Sequence, residues 1–291
     1  MITKGYPGGD MRAGTPPREM RINANSVDLT VTVAGSGPGL VLLHGWPHTR
    51  RIWDRVIPAL ARNHLVIAPD LRGLGDSARP RDGYDAATLA ADLAGLLDSF
   101  DLPAAAILAL DASVPAAFLF ALRHPERVHR LVLMESLLAP LPGAEEFLAA
   151  GPPWWFGFHA VPGLAETVLV GHEAEYIDWF LTAGTTGPDR VPADLREAVI
   201  RAYTGPEALR GGFAYYRAMP ENARLIATAV ADSRLRVPTL ALGADSVGSA
   251  LYRQLSTVAD DLVGRLIPEC GHIIPLDRPD ALLAEVVPFL R

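Results

Sequence analysis

Apolar residues fall along this chain in short blocks that switch between two periods. Leu40–Leu43, Leu65–Ala68, Ala104–Ala109, Val128–Met134, Pro238–Leu242 and Val263–Ile267 are nearly continuous apolar runs, the pattern of strands buried on both faces. Between them, Arg51–Arg62, Asp85–Phe100, Pro115–His124 and Pro279–Leu290 repeat apolar positions every three or four residues, as amphipathic helices do. In the first of these Ile52, Trp53, Val56, Ile57 and Leu60 would share one face. Arg21–Ala34 alternates in places and predicts a hairpin that turns at Ala24–Ser26. Strands alternating with helices predict an α/β domain, a mostly parallel sheet with helices on both faces.

The alternation stops between about Leu137 and Asn222. That stretch has helical patterns, no buried strand run, and many aromatics. The expected division is a tail over residues 1–19, a core built from 20–136 and 223–291, and a helical cap over 137–222. A helical insertion there would roof the C-terminal ends of the strands, where open α/β sheets bind ligands. The tail is rich in Gly, Pro and charge and has no apolar run of signal-peptide length, so a poorly ordered leader in a cytoplasmic protein is expected. The net charge of −7 argues against nucleic acid or an anionic membrane as partner. A homodimer is compatible with the composition. Cys270 is the single cysteine, so no intrachain disulfide can form.

One residue interrupts the apolar pattern at a telling place. Asp111 is the sole charge between Asp101 and Arg123, at the junction of a strand-like and a helix-like run. Small residues flank it, Ala109 two before and Ser113 two after, which is the spacing of a nucleophile elbow. A carboxylate there can attack carbon and form an ester; the plainer reading is a helix cap. His272 follows the last strand run in Cys270-Gly271-His272 and would reach the same sheet edge as a general base. Such a base needs an orienting acid. Glu135 closes the strand Val128–Met134, whereas Asp245 sits in a loop that water can enter, so Glu135 is preferred and Asp245 is the alternative. His44-Gly45-Trp46-Pro47 ends another strand, and the Trp46 and Ala112 N–H groups would form an oxyanion hole. Trp154, Trp155 and Tyr216 are polar-tipped cap aromatics that could hold a leaving oxygen or halide, although packing is the commoner role of such side chains. No cluster of His, Cys and carboxylates has metal spacing, and no cofactor is expected.

Taken together these segments resemble the epoxide-hydrolase branch of the α/β-hydrolase fold, which is related to haloalkane and haloacetate dehalogenases. The resemblance runs from Met20 to Arg291. It is carried by His44-Gly45-Trp46-Pro47, Asp70-Leu71-Arg72-Gly73-Leu74-Gly75-Asp76-Ser77, the Asp111 elbow, His124–Glu135, Trp154–His159, Gly212–Arg217 and Cys270-Gly271-His272. It implies an eight-stranded sheet with an inserted helical cap, Asp111 as nucleophile, His272 as base, Glu135 as acid and Tyr216 as donor to the epoxide oxygen. Trp155 falls where relatives have a second cap Tyr or a His; an indole can donate a hydrogen bond but not transfer a proton. Trp154, Phe158 and Tyr215 are expected to contact substrate. The elbow departs from the Gly-His-Asp-x-Gly of relatives, since Ala109 and Ser113 replace the glycines, and the added bulk predicts a shifted Asp111.

The resemblance implies a two-step epoxide hydrolysis with water as the second substrate, and the aromatic, weakly charged cap suggests an apolar, bulky or polycyclic epoxide, such as a natural product of secondary metabolism. A dehalogenase is the alternative. Against it, Ala112, Ser113 and Val114 follow the nucleophile where haloacid relatives place Arg and haloalkane relatives place Trp. A third reading is a relative of the same fold that binds or cyclises its ligand without hydrolysis.

Overall fold

The computed structural model describes residues 16–291. The tail expected over 1–19 lies largely outside them, but its last two residues belong to the first strand. β1 (Arg18–Ala24) and β2 (Val27–Ala34) form the predicted hairpin. Asn25 and Ser26 turn it with φ of 47° and 61°, a left-handed pair that matches the twist of the flanking strands.

β3 (Gly39–Leu43) follows, then a single 3₁₀ turn over Arg50–Trp53 and the short α1 (Ile57–Leu60). The single helix expected over Arg51–Arg62 is therefore broken. Pro58 in the first turn of α1 has no N–H to continue a helix from before it. The predicted face survives the break, because Ile52, Trp53, Val56, Ile57 and Leu60 are all buried. β4 (Leu65–Pro69), α2 (Ala86–Ser99), β5 (Ala105–Leu110), α3 (Val114–Arg123) and β6 (Val128–Met134) complete the first part of the core. Asp85 caps α2 by accepting from the Ala87 and Thr88 N–H groups.

From Met134 to Thr239 the described chain is helical: α4 (Trp154–Ala160), α5 (Leu164–Leu169), α6 (Glu173–Ala183), α7 (Ala193–Ala202), α8 (Pro206–Arg217) and α9 (Met219–Asp232). The boundary expected at 222/223 falls inside α9. That helix lies against α2 and α3, and its Asn222 accepts the Ala86 N–H at 2.7 Å. The core resumes with β7 (Thr239–Gly243), α10 (Ala250–Ser256), β8 (Leu262–Leu266), α11 (Ile274–Asp277) and α12 (Pro279–Phe289).

The eight strands form one sheet in the order β1-β2-β4-β3-β5-β6-β7-β8. The β1–β2 and β2–β4 pairs are antiparallel and the rest are parallel. β3, β5 and β7 are buried at every position, as continuous apolar runs require when helices cover both faces. Their parallel register carries Leu43, Leu110, Met134 and Gly243 to one edge of the sheet. No helix among the described residues is long and apolar enough to cross a membrane.

Candidate active site

Four chain segments meet at that edge. β5 delivers Asp111, held at φ 56°, a left-handed conformation that costs a non-glycine residue energy and is retained where the surroundings impose it. Two features impose it here. The Ser136 hydroxyl donates to the Asp111 carbonyl at 2.9 Å. Ser113, one turn on, accepts the Leu110 N–H at 3.1 Å, and its own proton reaches the Leu110 and Leu43 carbonyls at 2.9 and 3.2 Å. Ser113 thus stitches the elbow to β3.

β3 delivers the second group. The Trp46 N–H donates to Asp111 Oδ2 at 2.8 Å, and the Ala112 N–H also bonds this carboxylate. Gly45 permits the approach, since a Cβ there would stand 2.4 Å from Asp111 Oδ2. His44 anchors the segment: its Nε2 accepts the Leu71 N–H at 3.1 Å, so its Nδ1–H donates to the Gly45 carbonyl at 2.8 Å. The Asp70–Ser77 segment serves this scaffold. Asp70 is fully buried, takes the Arg50 N–H at 2.7 Å and the Asp76 N–H at 2.9 Å, and pairs with the Arg50 guanidinium.

β6 delivers Glu135 and the loop after β8 delivers His272. The His272 ring lies between two carboxylates, with Nδ1 3.2 Å from Glu135 Oε2 and Nε2 3.7 Å from Asp111 Oδ1. Glu135 is buried and its other oxygen takes the Ala244 N–H at 2.6 Å, which fixes the carboxylate plane. Asp245 is engaged elsewhere: it exchanges two hydrogen bonds with the Cys270 backbone, at 3.0 and 3.2 Å, and laces the loop after β7 to the loop that carries His272. That His272 loop is also tied to the cap. Buried Asp277 accepts the N–H groups of Gly271 (2.6 Å) and Thr186 (3.1 Å) and the Thr186 hydroxyl (2.7 Å), and the Ile273 N–H donates to the Gly184 carbonyl at 2.8 Å.

The protonation equilibria follow from these contacts. Burial raises the Asp111 carboxyl above the usual aspartate range, opposed by His272 and by the Trp46 and Ala112 N–H groups. For His272, burial disfavours the imidazolium, but the Glu135 hydrogen bond and the Asp111 charge outweigh it and the pKa is raised. Tyr216 is pushed well above 10 by burial and by the Asp111 charge, so its phenol stays protonated.

The cap supplies an aromatic wall. Rings of His159, Tyr176, Phe180, Tyr203, Phe213 and Tyr216 surround Trp46, with centroids 4.7 to 6.5 Å away. Trp155 is half-buried and its ring neighbours are Trp154, Phe156, Trp179 and Phe180; no ring contact with Trp46, Tyr216 or His272 is found among the described residues. Phe158 packs on Trp154, His159 and Tyr176, and Trp154 itself is 56% exposed. Tyr215 is a correction to the expected set of substrate contacts. It is buried, meets Tyr84 edge to face and donates its hydroxyl to the Arg72 carbonyl at 2.8 Å, so it fastens α8 to the core.

Several residues at the site carry no signature in the sequence reading. Ser136 and Gly45 adjoin singled-out positions and could have been inferred from them. His159, whose Nε2 lies 2.6 Å from the Tyr176 hydroxyl and whose pKa burial lowers to about 3, could not, because its partner is 17 residues away across two helices.

Comparison with known proteins agrees with this geometry. The alpha/beta hydrolase fold family profile matches residues 38–162. The chain is 29% identical over 281 residues to a soluble epoxide hydrolase of Corynebacterium sp. (strain C12), covering 91% of this chain and 94% of that one. It is 31% identical over 224 residues to epoxide hydrolase 2 of Siraitia grosvenorii, covering 68% and 71%. The crystal structure of wild-type Cfl2 from Burkholderia cenocepacia superposes with a TM-score of 0.87 at 35% identity, over 99% of this chain and 100% of that one. With the sheet order, the inserted helices and a sequence match of this extent in agreement, the chain belongs to the epoxide hydrolase-like family of the α/β-hydrolase fold.

Proposed function

We propose that this protein opens apolar epoxides to vicinal diols through an ester on Asp111. The observation that carries the reading is the setting of one carboxylate. Asp111 receives the Trp46 N–H on Oδ2 and the Ala112 N–H on its carboxylate, and faces the His272–Glu135 pair with Oδ1. In the first step an Asp111 oxygen forms a bond to an epoxide carbon and the C–O bond of the ring breaks. The emerging alkoxide takes its proton from Tyr216, which stays protonated until that moment. In the second step His272 removes a proton from water, and the water oxygen attacks the Asp111 carbonyl carbon. The Trp46 and Ala112 N–H groups, already on that carboxylate, hold the resulting oxyanion. The diol oxygen then leaves with the proton from His272, and the proton left on the re-formed Asp111 carboxyl passes to the Tyr216 phenolate, so that both groups end as they began.

The aromatic wall around Trp46 supports an apolar, bulky substrate, with a polycyclic natural-product epoxide as the proposed class. The helices over 137–222 roof the site in this reading. Trp155 is assigned to the substrate wall and Tyr216 to proton donation.

His272→Gln tests the assignment. Mixed with an aryl-substituted epoxide, this variant should accumulate a species heavier by the whole mass of the epoxide, with the adduct on Asp111. If Asp111→Ala retains full turnover of the same epoxide, the reading is wrong.

A further inference from the structure

We propose that His48 holds the water that hydrolyses the Asp111 ester, as a second anchor beside His272. This rests on the ester reading given above and adds a residue to it. His48 lies just beyond His44-Gly45-Trp46-Pro47 and is fully buried. Its backbone is fixed at both ends: its N–H donates to the Gly45 carbonyl at 3.0 Å and its carbonyl accepts the Tyr203 hydroxyl at 2.8 Å. So held, the His48 ring sits beside the His272 ring, with centroids 6.0 Å apart and planes inclined by 36°.

Both His48 ring nitrogens are buried and neither has a hydrogen-bond partner among the described residues. A neutral imidazole carries one donor and one acceptor, and burying both unpaired is unfavourable. An apolar ring would fill the same space without that cost. Nearby His44 shows the contrasting case: it is equally buried, but both its nitrogens are engaged by backbone groups and its role is to hold the loop. Burial first, then the adjacent His272 and His44, hold the His48 pKa well below that of free imidazole. The ring is therefore neutral and offers one lone pair and one N–H, the complement of a water molecule. It offers them within one water's reach of the base.

The step balances simply. His272 Nε2 takes one proton of the water, and His48 accepts a hydrogen bond from the other O–H. The oxygen lone pair then points at the Asp111 carbonyl carbon. The new C–O bond forms, the bond from that carbon to the diol oxygen breaks, and the proton on His272 passes to the diol. His48 ends the cycle unchanged.

This role touches one half-reaction alone, and that separates it from packing. His48→Phe keeps a ring and removes both nitrogens. Rapid-quench mass measurement with a single aryl epoxide should show ester formation on Asp111 at the native rate. Ester hydrolysis should be slowed by about tenfold, the loss of one hydrogen bond in the transition state, so that ester accumulates. His48→Met, smaller and more flexible, carries the same expectation should the Phe variant not fold. His48→Gln, which restores an acceptor and a donor, should recover part of the rate. The proposal is overturned if hydrolysis in the apolar variants is unchanged, or if formation and hydrolysis slow together as disturbed packing would make them. His272→Gln run alongside keeps the two readings distinct: no ester on Asp111 in that protein would overturn the ester reading, and His48's role with it.

Discussion

In the proposed cycle the charge on Asp111 changes, and His272 is placed to respond. In the resting protein the Asp111 carboxylate, 3.7 Å from Nε2, helps hold the His272 pKa up. Ester formation removes that charge, so the His272 pKa falls just when a neutral base is needed to deprotonate water. Asp111→Asn imitates the neutral state. The His272 ring in that variant should titrate at a lower pH than in the native protein, measured from its imidazole signals by nuclear magnetic resonance; an unchanged or higher midpoint would contradict the coupling. The opposite sign applies to the nucleophile. Asp111 must be ionised to attack, and burial raises its pKa. Ester formation should therefore fall away on acidification at a higher pH than an exposed aspartate would give. In the proposed cycle Tyr216 donates its proton in the first step alone. Tyr216→Phe should slow ester formation by ~10²-fold, the usual effect of losing one transition-state donor, while ester hydrolysis keeps its rate. Single-turnover kinetics separate the two.

At the scale of elements, the site is a set of strand ends whose turns are held by backbone chemistry. Asp111 leaves β5 in a left-handed conformation, and Glu135, leaving β6, does the same with φ 47°. Gly45 is where the turn after β3 meets the turn after β5. Gly45→Ala should reduce turnover by ~10²-fold through displacement of the Asp111 carboxylate, with the thermal transition nearly preserved. Full activity in that variant would mean that the close approach does not matter. The sequence revealed these strand ends because each buried run stops at a polar residue that has no place in a core. It did not reveal the break before α1. There the apolar face continues unbroken from Ile52 to Leu60, and periodicity is blind to a proline that restarts a helix on the same face. Nor did it separate Tyr215 from Tyr216. Neighbours on a helix point about 100° apart, and which of the two looks inward depends on how α8 lies on the core.

Across the whole molecule, the parallel sheet and the helical insertion were legible because alternation of strand and helix periods survives without tertiary information. The cap's internal arrangement was not. Its aromatics look alike in sequence, yet Trp154 faces solvent, Trp155 packs within the cap and Tyr216 meets Trp46. Among the joints between cap and core that the sequence hid is Asp277 with Gly271 and Thr186. Asp277→Ala leaves three donors, the Gly271 and Thr186 N–H groups and the Thr186 hydroxyl, without their acceptor and should destabilise the protein by ~2 kcal/mol in denaturant unfolding. Hydrogen exchange should quicken most at the His272 loop and at 184–186. A uniform change along the chain would argue against a local joint.

In the proposed mechanism the first new bond to the epoxide comes from Asp111 rather than from water. A single turnover in ¹⁸O-labelled water, with enzyme in excess over epoxide, tests it directly. The expected result is a diol free of the label and one ¹⁸O in the Asp111 side chain, because the diol oxygen is drawn from the carboxylate and water refills it. A labelled diol from an unlabelled Asp111 would contradict the account.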